Sequence, residues 1–120
     1  MISIIDYGRG NLFSLEQALS EIGAESQRVE TREQVCQAKK LILPGVGAFR
    51  DAMQGLTDRG LVGPIQQAVE NKVPLMGICV GMQLLFTKGE EFGETDGLGL
   101  IPGIVKRLPD FNDKTADRIP

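Results

Sequence analysis

PLMGICVGMQLLF, residues 74 to 86, places a cysteine between two glycines directly after a short apolar run. The run Val73–Ile78 predicts a strand, and a helix is predicted from about Val80 to Phe86. Cys79 then lies at a sharp strand-to-helix turn with the pattern Gly-x-Cys-x-Gly, the cysteine counterpart of a nucleophile elbow. The alternative is a small buried thiol without a chemical role, because free cysteine is among the most buried residue types.

The rest of the chain repeats this order of strand and helix. Further strands are predicted at residues 2–6, 24–29 and 40–43, and helices at residues 11–21, 31–39, 48–56 and 61–71. This alternation is typical of an α/β fold, so we expect an open, mostly parallel sheet with helices on both faces, of the flavodoxin-like type. The strand at 24–29 is less apolar and is expected near an edge of the sheet. After the elbow, a polar, glycine-rich loop is predicted at 89–98, two short strands at 100–102 and 104–108, and a polar segment at 110–120.

Composition limits the classes of protein to which the chain can belong. Its 120 residues suffice for one domain, and 42% hydrophobic residues can form a core. Lys and Arg number 13 against 16 Asp and Glu, a balance that argues against a nucleic-acid partner. Because no apolar run approaches a membrane span and the N-terminus lacks a signal-peptide pattern, a cytoplasmic protein without membrane contacts is expected.

The cysteine and histidine content argues against a disulfide framework and against a metal site. The chain has two cysteines, Cys36 and Cys79, and no histidine. We therefore expect both cysteines to be thiols and expect no metal or other cofactor. Cys36 lies in a polar segment without an elbow pattern, and we interpret it as structural.

Three glycine-rich loops are expected to meet at one edge of the sheet. They follow predicted strands and span residues 6–11, 44–49 and 77–81. Ligands of such sheets bind beyond the carboxyl ends of the strands, which is where these loops lie. The meeting of the loops at this edge is the strongest indication of a site that the residues alone provide.

Main-chain donors are expected beside the cysteine. Glycines in the turn Pro44–Gly47 let N–H groups approach a ligand closely, and the N–H of Val80 could supply a second donor to an oxyanion. Gln83 is one helical turn after Cys79, so it is predicted on the same helix face, where it could bind an amide or carboxylate. The alternatives are an ordinary strand-to-helix turn and a solvent-exposed glutamine.

The first loop resembles a phosphate-binding motif only in part. Its sequence, DYGRGNL from Asp6 to Leu12, has two of the glycines of a dinucleotide fingerprint, but Phe13 occupies the third position. A phosphate-binding turn therefore remains a weaker hypothesis for this loop.

Taken together, four segments resemble the class I (triad) glutamine amidotransferases. They are MISIIDYGRGNLFSL, LILPGVGAF, PLMGICVGMQLLF and GLGLIPG, in the family's order and spacing from residue 1 to about residue 108. The opening DYGRGNL and Met82, where many relatives carry histidine, are most similar to the branch that serves imidazole glycerol phosphate synthase in histidine biosynthesis. The resemblance implies that residues 1–120 are the amino-terminal part of a single amidotransferase domain, incomplete at the C-terminus.

The resemblance also implies a mechanism and a set of site residues. Cys79 would be the nucleophile that forms a glutamyl thioester, with Val80, Val46 and Gly47 around the oxyanion and Gly45, Gly47 and Gln83 binding glutamine. Ammonia would pass to a cyclase subunit of the (β/α)8 barrel type. Tyr7, Arg9 and Asn11, together with Val46–Phe49, would lie near that partner.

The resemblance identifies the triad cysteine but no triad histidine or glutamate among these 120 residues, which contain no histidine at all. In relatives they come from a later segment, and a stretch like Asp117–Pro120 precedes a histidine there. We therefore expect the chain alone to be inactive, because the thiol lacks a general base. Two other functions stay open: a non-catalytic amidotransferase-like interaction module, and a flavodoxin-like phosphate or nucleotide binder.

Overall fold

The computed structural model describes residues 1–108. The strands are β1 (Ile2–Ile5), β2 (Ser26–Val29), β3 (Leu41–Leu43), β4 (Leu75–Gly77), β5 (Phe86–Gly89), β6 (Thr95–Asp96) and β7 (Ile101–Val105). The helices are α1 (Leu12–Glu21), α2 (Arg32–Gln37), α3 (Phe49–Asp58), α4 (Val62–Glu70) and α5 (Val80–Gln83). None of the helices in this part of the chain combines the length and hydrophobicity that a membrane span requires.

The main sheet is parallel and has the strand order β2-β1-β3-β4. β1 pairs on both sides, with Ile4 opposite Arg28 of β2 and Ile42 of β3. β2 lies at an edge, as its polar sequence predicts, and β4 forms the other edge of the described sheet. Because the strands are parallel, the loops that follow β1, β3 and β4 all leave from the same edge of the sheet.

Helices cover both faces of this sheet, which confirms the predicted fold class. Alternate side chains of a strand point to opposite faces. Accordingly, Ile4 and Ile42 pack with Leu19 of α1, whereas Ile5 and Leu43 belong to the larger core. That larger core also contains residues of three helices, α2, α3 and α4: Val35, Phe49, Met53, Leu56 and Ile65. The sheet is therefore the middle layer between α1 and the other helices.

Two helix starts are capped by the side chain that precedes them. Asn11 precedes α1, and its side-chain oxygen accepts a hydrogen bond from Ser14 N at 3.1 Å. Thr31 precedes α2 and forms a full capping box: its hydroxyl accepts from Gln34 N at 3.2 Å, and the Gln34 side chain accepts from Thr31 N at 3.1 Å. Each cap satisfies backbone donors that have no partner within the helix.

The region after the elbow differs from the sequence prediction. The predicted helix to Phe86 ends at Gln83, and Phe86 instead begins β5. β5 pairs in antiparallel with β6, inside the predicted loop, and in parallel with β7, a single strand in place of the two predicted ones. Hydrogen bonds from residues distant in sequence end the helix, because Leu98 N donates to Leu84 O at 2.7 Å and Leu100 N donates to Leu85 O at 2.8 Å. The predicted polar segment 110–120 lies outside the described residues.

Candidate active site

Cys79 occupies a strained turn between β4 and α5. Its backbone has φ 56° and ψ −125°, a region that residues with a side chain rarely adopt. Such backbone strain persists where the surrounding structure enforces it, and it is concentrated at functional sites. The cysteine is exposed, so the turn holds its side chain outside the hydrophobic core. This position differs from that of a buried structural thiol.

Glycine is required on both sides of the cysteine because backbone atoms lie too close for a side chain. A Cβ at Gly77 would be 2.6 Å from Met82 Cα, and a Cβ at Gly81 would overlap the Leu43 carbonyl oxygen. These contacts explain the pattern Gly-x-Cys-x-Gly in physical terms. α5 turns back directly over the ends of β3 and β4, so the Cα atoms of Gly77 and Gly81 have room for hydrogen only.

The turn after β3 lies against this elbow. Ile78 N donates to Leu43 O at 3.0 Å and so continues the pairing between β3 and β4. Val80 N donates to Gly45 O at 3.2 Å. The start of the segment Pro44–Gly47 is thereby held beside Cys79, as the three-loop arrangement predicts.

The predicted oxyanion donors are only partly available in this structure. The N–H of Val80 is already bonded to Gly45 O, so an incoming oxyanion would have to replace that carbonyl. Val46 is 53% exposed, and Gly47 has φ +89°, with open space where a Cβ would be. The exposed part of the segment therefore has room to change conformation next to the sulfur.

Two neighbouring cavities adjoin this segment. The Cys79 cavity, of about 300 Å³, is lined by Cys79, Asn11, Leu15, Gly45 and Val46, among others. The Gln83 cavity, of about 380 Å³, is lined by Gln83, Gly47, Val80, Glu91, Lys106 and Arg107, among others. Consecutive residues Val46 and Gly47 line different cavities, so the segment runs between them.

The Gln83 cavity contains charged residues that the sequence analysis missed. Glu91 reaches the start of α3, where its carboxylate accepts a hydrogen bond from Phe49 N at 3.5 Å. Lys106 and Arg107 follow β7 and line the same cavity. Because these residues meet through the pairing of β5 and β7, no local sequence pattern indicates their proximity. Gln83 lines this cavity, whereas Cys79 lines the other one, so the two residues that are predicted on one helix face do not line a common cavity.

Tyr7 has a different environment from the one predicted. Its side chain is 0% exposed, and its hydroxyl donates to Pro44 O at 2.6 Å. The prediction that Tyr7 faces a partner therefore requires correction, because the ring belongs to the core. Burial raises the pKa of the Tyr7 phenol to about 12, since the charged phenolate would lose its hydration.

Arg9 and Asn11 lie at the protein surface, in the same loop. Arg9 forms a two-point ion pair with Asp51 of α3, with Nε and Nη2 at 2.7 Å and 3.1 Å from the carboxylate oxygens. This hydrogen bond to the guanidinium holds the pKa of Asp51 below its usual value. Asn11 is exposed although its side chain caps α1. The Arg9 ion pair with α3 and the Asn11 cap of α1 therefore both hold this loop in place.

Cys36 lies on the surface of α2, and both cysteines are free thiols. Within residues 1–108, no group of three or more His, Cys, Asp or Glu side chains is arranged to hold a metal ion.

Comparison with known proteins decides the family. The family model for class-I glutamine amidotransferases matches residues 3–113. The chain belongs to the class-I glutamine amidotransferase family. Its elbow cysteine and the turn after β3 thus lie within the matched region.

The curated relatives name one branch of this family. The imidazole glycerol phosphate synthase subunit HisH of Geobacillus kaustophilus is 55% identical over 109 residues, which cover 91% of this chain and 52% of the relative. The protein of the same name from Syntrophotalea carbinolica is 52% identical over 109 residues, covering 91% of this chain and 53% of the relative. The chain thus spans about half the length of these curated relatives.

A solved structure supports the fold. A crystal structure described as a glutamine amidotransferase matches with a TM-score of 0.75 at 24% identity, covering 88% of this chain and 56% of that one. At this identity the match establishes shared architecture only. It agrees with the α/β fold and the mostly parallel sheet described above.

Proposed function

We propose that this chain is the amidotransferase part of an imidazole glycerol phosphate synthase, which hydrolyses glutamine through a thioester on Cys79. The observation that carries the proposal is the strained, exposed position of Cys79 between two obligatory glycines, beside the Pro44–Gly47 turn. Membership of the class-I glutamine amidotransferase family supplies the substrate class. The names of the similar curated proteins supply the branch.

The chemistry assigned to Cys79 has two steps. Its sulfur, as thiolate, bonds to the side-chain amide carbon of glutamine, and the carbonyl oxygen becomes an oxyanion. When the oxyanion collapses, the carbon–nitrogen bond breaks, the nitrogen takes up a proton, and ammonia leaves. Water then attacks the thioester carbon, which releases glutamate and returns a proton to the sulfur. Dividing one difficult hydrolysis into two easier steps is the advantage of covalent catalysis.

The Gln83 cavity suits the polar end of glutamine. The Glu91 carboxylate can accept hydrogen bonds from the α-ammonium group of glutamine, and Lys106 and Arg107 can attract its α-carboxylate. Gln83 can hydrogen-bond the remaining polar atoms. Gly47 and Val80 line the same cavity, and Val80 follows Cys79 directly in the chain, so the amide end would extend past them toward the sulfur.

Oxyanion stabilisation requires a local rearrangement in this proposal. The Val80 N–H has to exchange the Gly45 carbonyl for the substrate oxygen. Val46 and Gly47 contribute through the same segment, since rotation of its exposed peptides would turn N–H groups toward the sulfur. The open space around Gly47 makes such a rotation sterically possible.

The general base and the acceptor of ammonia would come from outside these residues. The chain contains no histidine, so the base of a Cys-His-Glu triad is not among its 120 residues. We further propose a cyclase partner of the (β/α)8 barrel type that receives the ammonia. Asn11 and Val46, two exposed residues that line the Cys79 cavity, and the half-buried Arg9 of the same loop as Asn11 are the proposed contacts with that partner.

A second candidate function is a non-catalytic module that docks on a cyclase. The occupied Val80 N–H and the missing histidine favour it, because both weaken catalysis by the chain alone. It predicts the same complex without turnover of glutamine, so a single experiment separates the two candidates.

The experiment measures glutamate release by a subunit that contains these residues together with the proposed source of the general base, assembled with its synthase partner. We expect turnover with the wild-type protein and a fall of at least about a thousandfold for Cys79→Ser, because the nucleophile is lost. Cys36→Ser is the matched control and should stay within about twofold of wild type, since Cys36 lies outside the site. Full turnover by the Cys79 variant, or none by the wild-type complex, would contradict the proposal.

A further inference from the structure

The hydroxyl of Tyr7 links two loops that are far apart in sequence. It donates to the carbonyl oxygen of Pro44 at 2.6 Å, across 37 residues of chain. Tyr7 follows β1, and Pro44 is the first residue after β3. The bond therefore ties the loop after one strand to the start of the segment that lies beside Cys79.

The next residue, Gly45, is confined between this hydroxyl and the elbow. A Cβ at Gly45 would lie 2.7 Å from the Tyr7 hydroxyl oxygen and 2.8 Å from Gly81 N. The phenol and the start of α5 thus both lie directly against Gly45. The position of the Pro44–Gly45 peptide relative to Cys79 depends on both contacts.

Tyr7 is itself rigidly held. Its side chain is buried, and its own carbonyl accepts a hydrogen bond from the Arg59 guanidinium. A Cβ at Gly55 of α3 would be 3.2 Å from the Tyr7 ring, so the helix packs directly on it. A group fixed from several sides can hold another group in place, because its own rotamer is fixed by packing.

We propose that Tyr7 is a positioning residue that holds the Pro44–Gly47 segment at the distance from Cys79 that oxyanion stabilisation needs. The inference rests on the proposed function, which assigns oxyanion binding to that segment. Tyr7 itself lines neither cavity, so it acts on the reaction through Pro44 and Gly45, which line the Cys79 cavity. Two successive carbonyls are thereby held, that of Pro44 by Tyr7 and that of Gly45 by Val80 N.

The two carbonyls differ in how easily they can be released. Gly45 O bonds to a main-chain N–H beside an exposed segment, whereas Pro44 O bonds to a phenol inside the core. Because burial raises the pKa of that phenol to about 12, the hydroxyl stays a neutral donor throughout the physiological range. Movement that frees Val80 N would therefore begin after Pro44 and leave Pro44 in place.

The test compares two reactions of the same sulfur in the variant Tyr7→Phe, assembled with the synthase partner. Thioester formation with glutamine creates an oxyanion, whereas alkylation by iodoacetamide does not. We expect kcat for glutamine to fall by about 10- to 100-fold with KM nearly unchanged, because a misplaced donor weakens the transition state alone. The rate of Cys79 alkylation should stay within about twofold of wild type.

Ile65→Val is the matched control. Ile65 is a fully buried residue of the same core on α4 and lines neither cavity. It should lower the thermal unfolding temperature without lowering kcat, which separates loss of stability from loss of positioning.

The outcomes distinguish failure of the positioning role of Tyr7 from failure of the proposed function. An unchanged kcat in Tyr7→Phe, or equal losses in both reactions of Cys79, would overturn the positioning role while leaving the proposed function intact. If the wild-type complex forms no thioester with glutamine, the proposed function is wrong and the inference is overturned with it.

Discussion

The two cysteines of this chain are both free and exposed, yet their surroundings are unlike each other. Cys36 lies on α2, a regular helix that begins with a capping box. Cys79 lies in a turn with φ 56°, enforced by close contacts at Gly77 and Gly81 and placed beside a second glycine-rich turn. Exposure therefore does not distinguish the proposed nucleophile from the other thiol here. The backbone conformation and the neighbouring main-chain groups do.

The largest expected effect comes from removing the glycine that permits the elbow. A Cβ at Gly81 would overlap the Leu43 carbonyl oxygen, so Gly81→Ala must displace α5 or β3. We expect a loss of about 3 kcal/mol or more in the free energy of unfolding, measured by urea denaturation, because backbone cannot give way as a side-chain tip can. The environment of Cys79 would then approach that of an ordinary thiol.

Gly63→Ala is the matched control for this substitution. Gly63 lies in α4, and a Cβ added there would have no neighbouring atom within 4 Å. Alanine at this position should leave stability unchanged or raise it by about 0.5 kcal/mol, because glycine is a poor helix former. If the two alanine variants were equally stable, the strain ascribed to the elbow would be absent.

A smaller effect concerns the contribution of the buried Tyr7 phenol to the free energy of unfolding at high pH. The pKa of Tyr7 is about 12 in the folded protein against 10.0 for an unperturbed phenol. The unfolded chain therefore loses this proton first, so the stabilisation is complete below pH 10 and is lost as pH rises from 10 to 12. The full stabilisation by the buried phenol is roughly 2 to 3 kcal/mol of the free energy of unfolding.

The variant Tyr7→Phe isolates this contribution from other groups that titrate at high pH. Its free energy of unfolding is measured by denaturant titration at several pH values from about 9 to about 12. We expect this free energy to fall less steeply with pH than that of wild type. Parallel curves would show that burial of the phenol contributes nothing to the pH dependence. Cys36 has no comparable link to the core, so Cys36→Ser should follow the wild-type curve.

The smallest expected effect is a difference in labelling of the two cysteines. A chloroketone analogue of glutamine should modify Cys79 at least about tenfold faster than Cys36, because the adjoining cavities hold the reagent beside the sulfur. Mass mapping of the labelled peptides measures this ratio. Iodoacetamide, which lacks the amino acid end, should discriminate less. Preferential labelling of Cys36 by the chloroketone would refute the assignment of Cys79.

Local patterns predict much of the molecule because the interactions concerned are local. The caps at Asn11 and Thr31 depend on atoms within three residues, so the sequence contains the whole motif. The elbow pattern around Cys79 is equally short. Alternation of strand and helix then restricts the sheet to a parallel one, and the loops after its strands to one edge.

Features that depend on pairing between residues far apart in sequence cannot be predicted from local sequence patterns. The helix after the elbow ends at Gln83 because Leu98 and Leu100 bond to the residues that follow it. Glu91 and Lys106 share a cavity only through the pairing of β5 with β7. The polar loop around Tyr7 favours a surface position, but the space between α3 and Pro44 accommodates its ring.

The course of the Pro44–Gly47 segment between the two cavities has a consequence for substrate choice. In the proposed function, a molecule held by its amino acid end next to Glu91 would have to be long enough to pass the segment before its amide meets the sulfur. Asparagine has the same end groups as glutamine but one methylene less, so it would stop short. The arrangement would thus discriminate by reach, a property that neither cavity has on its own.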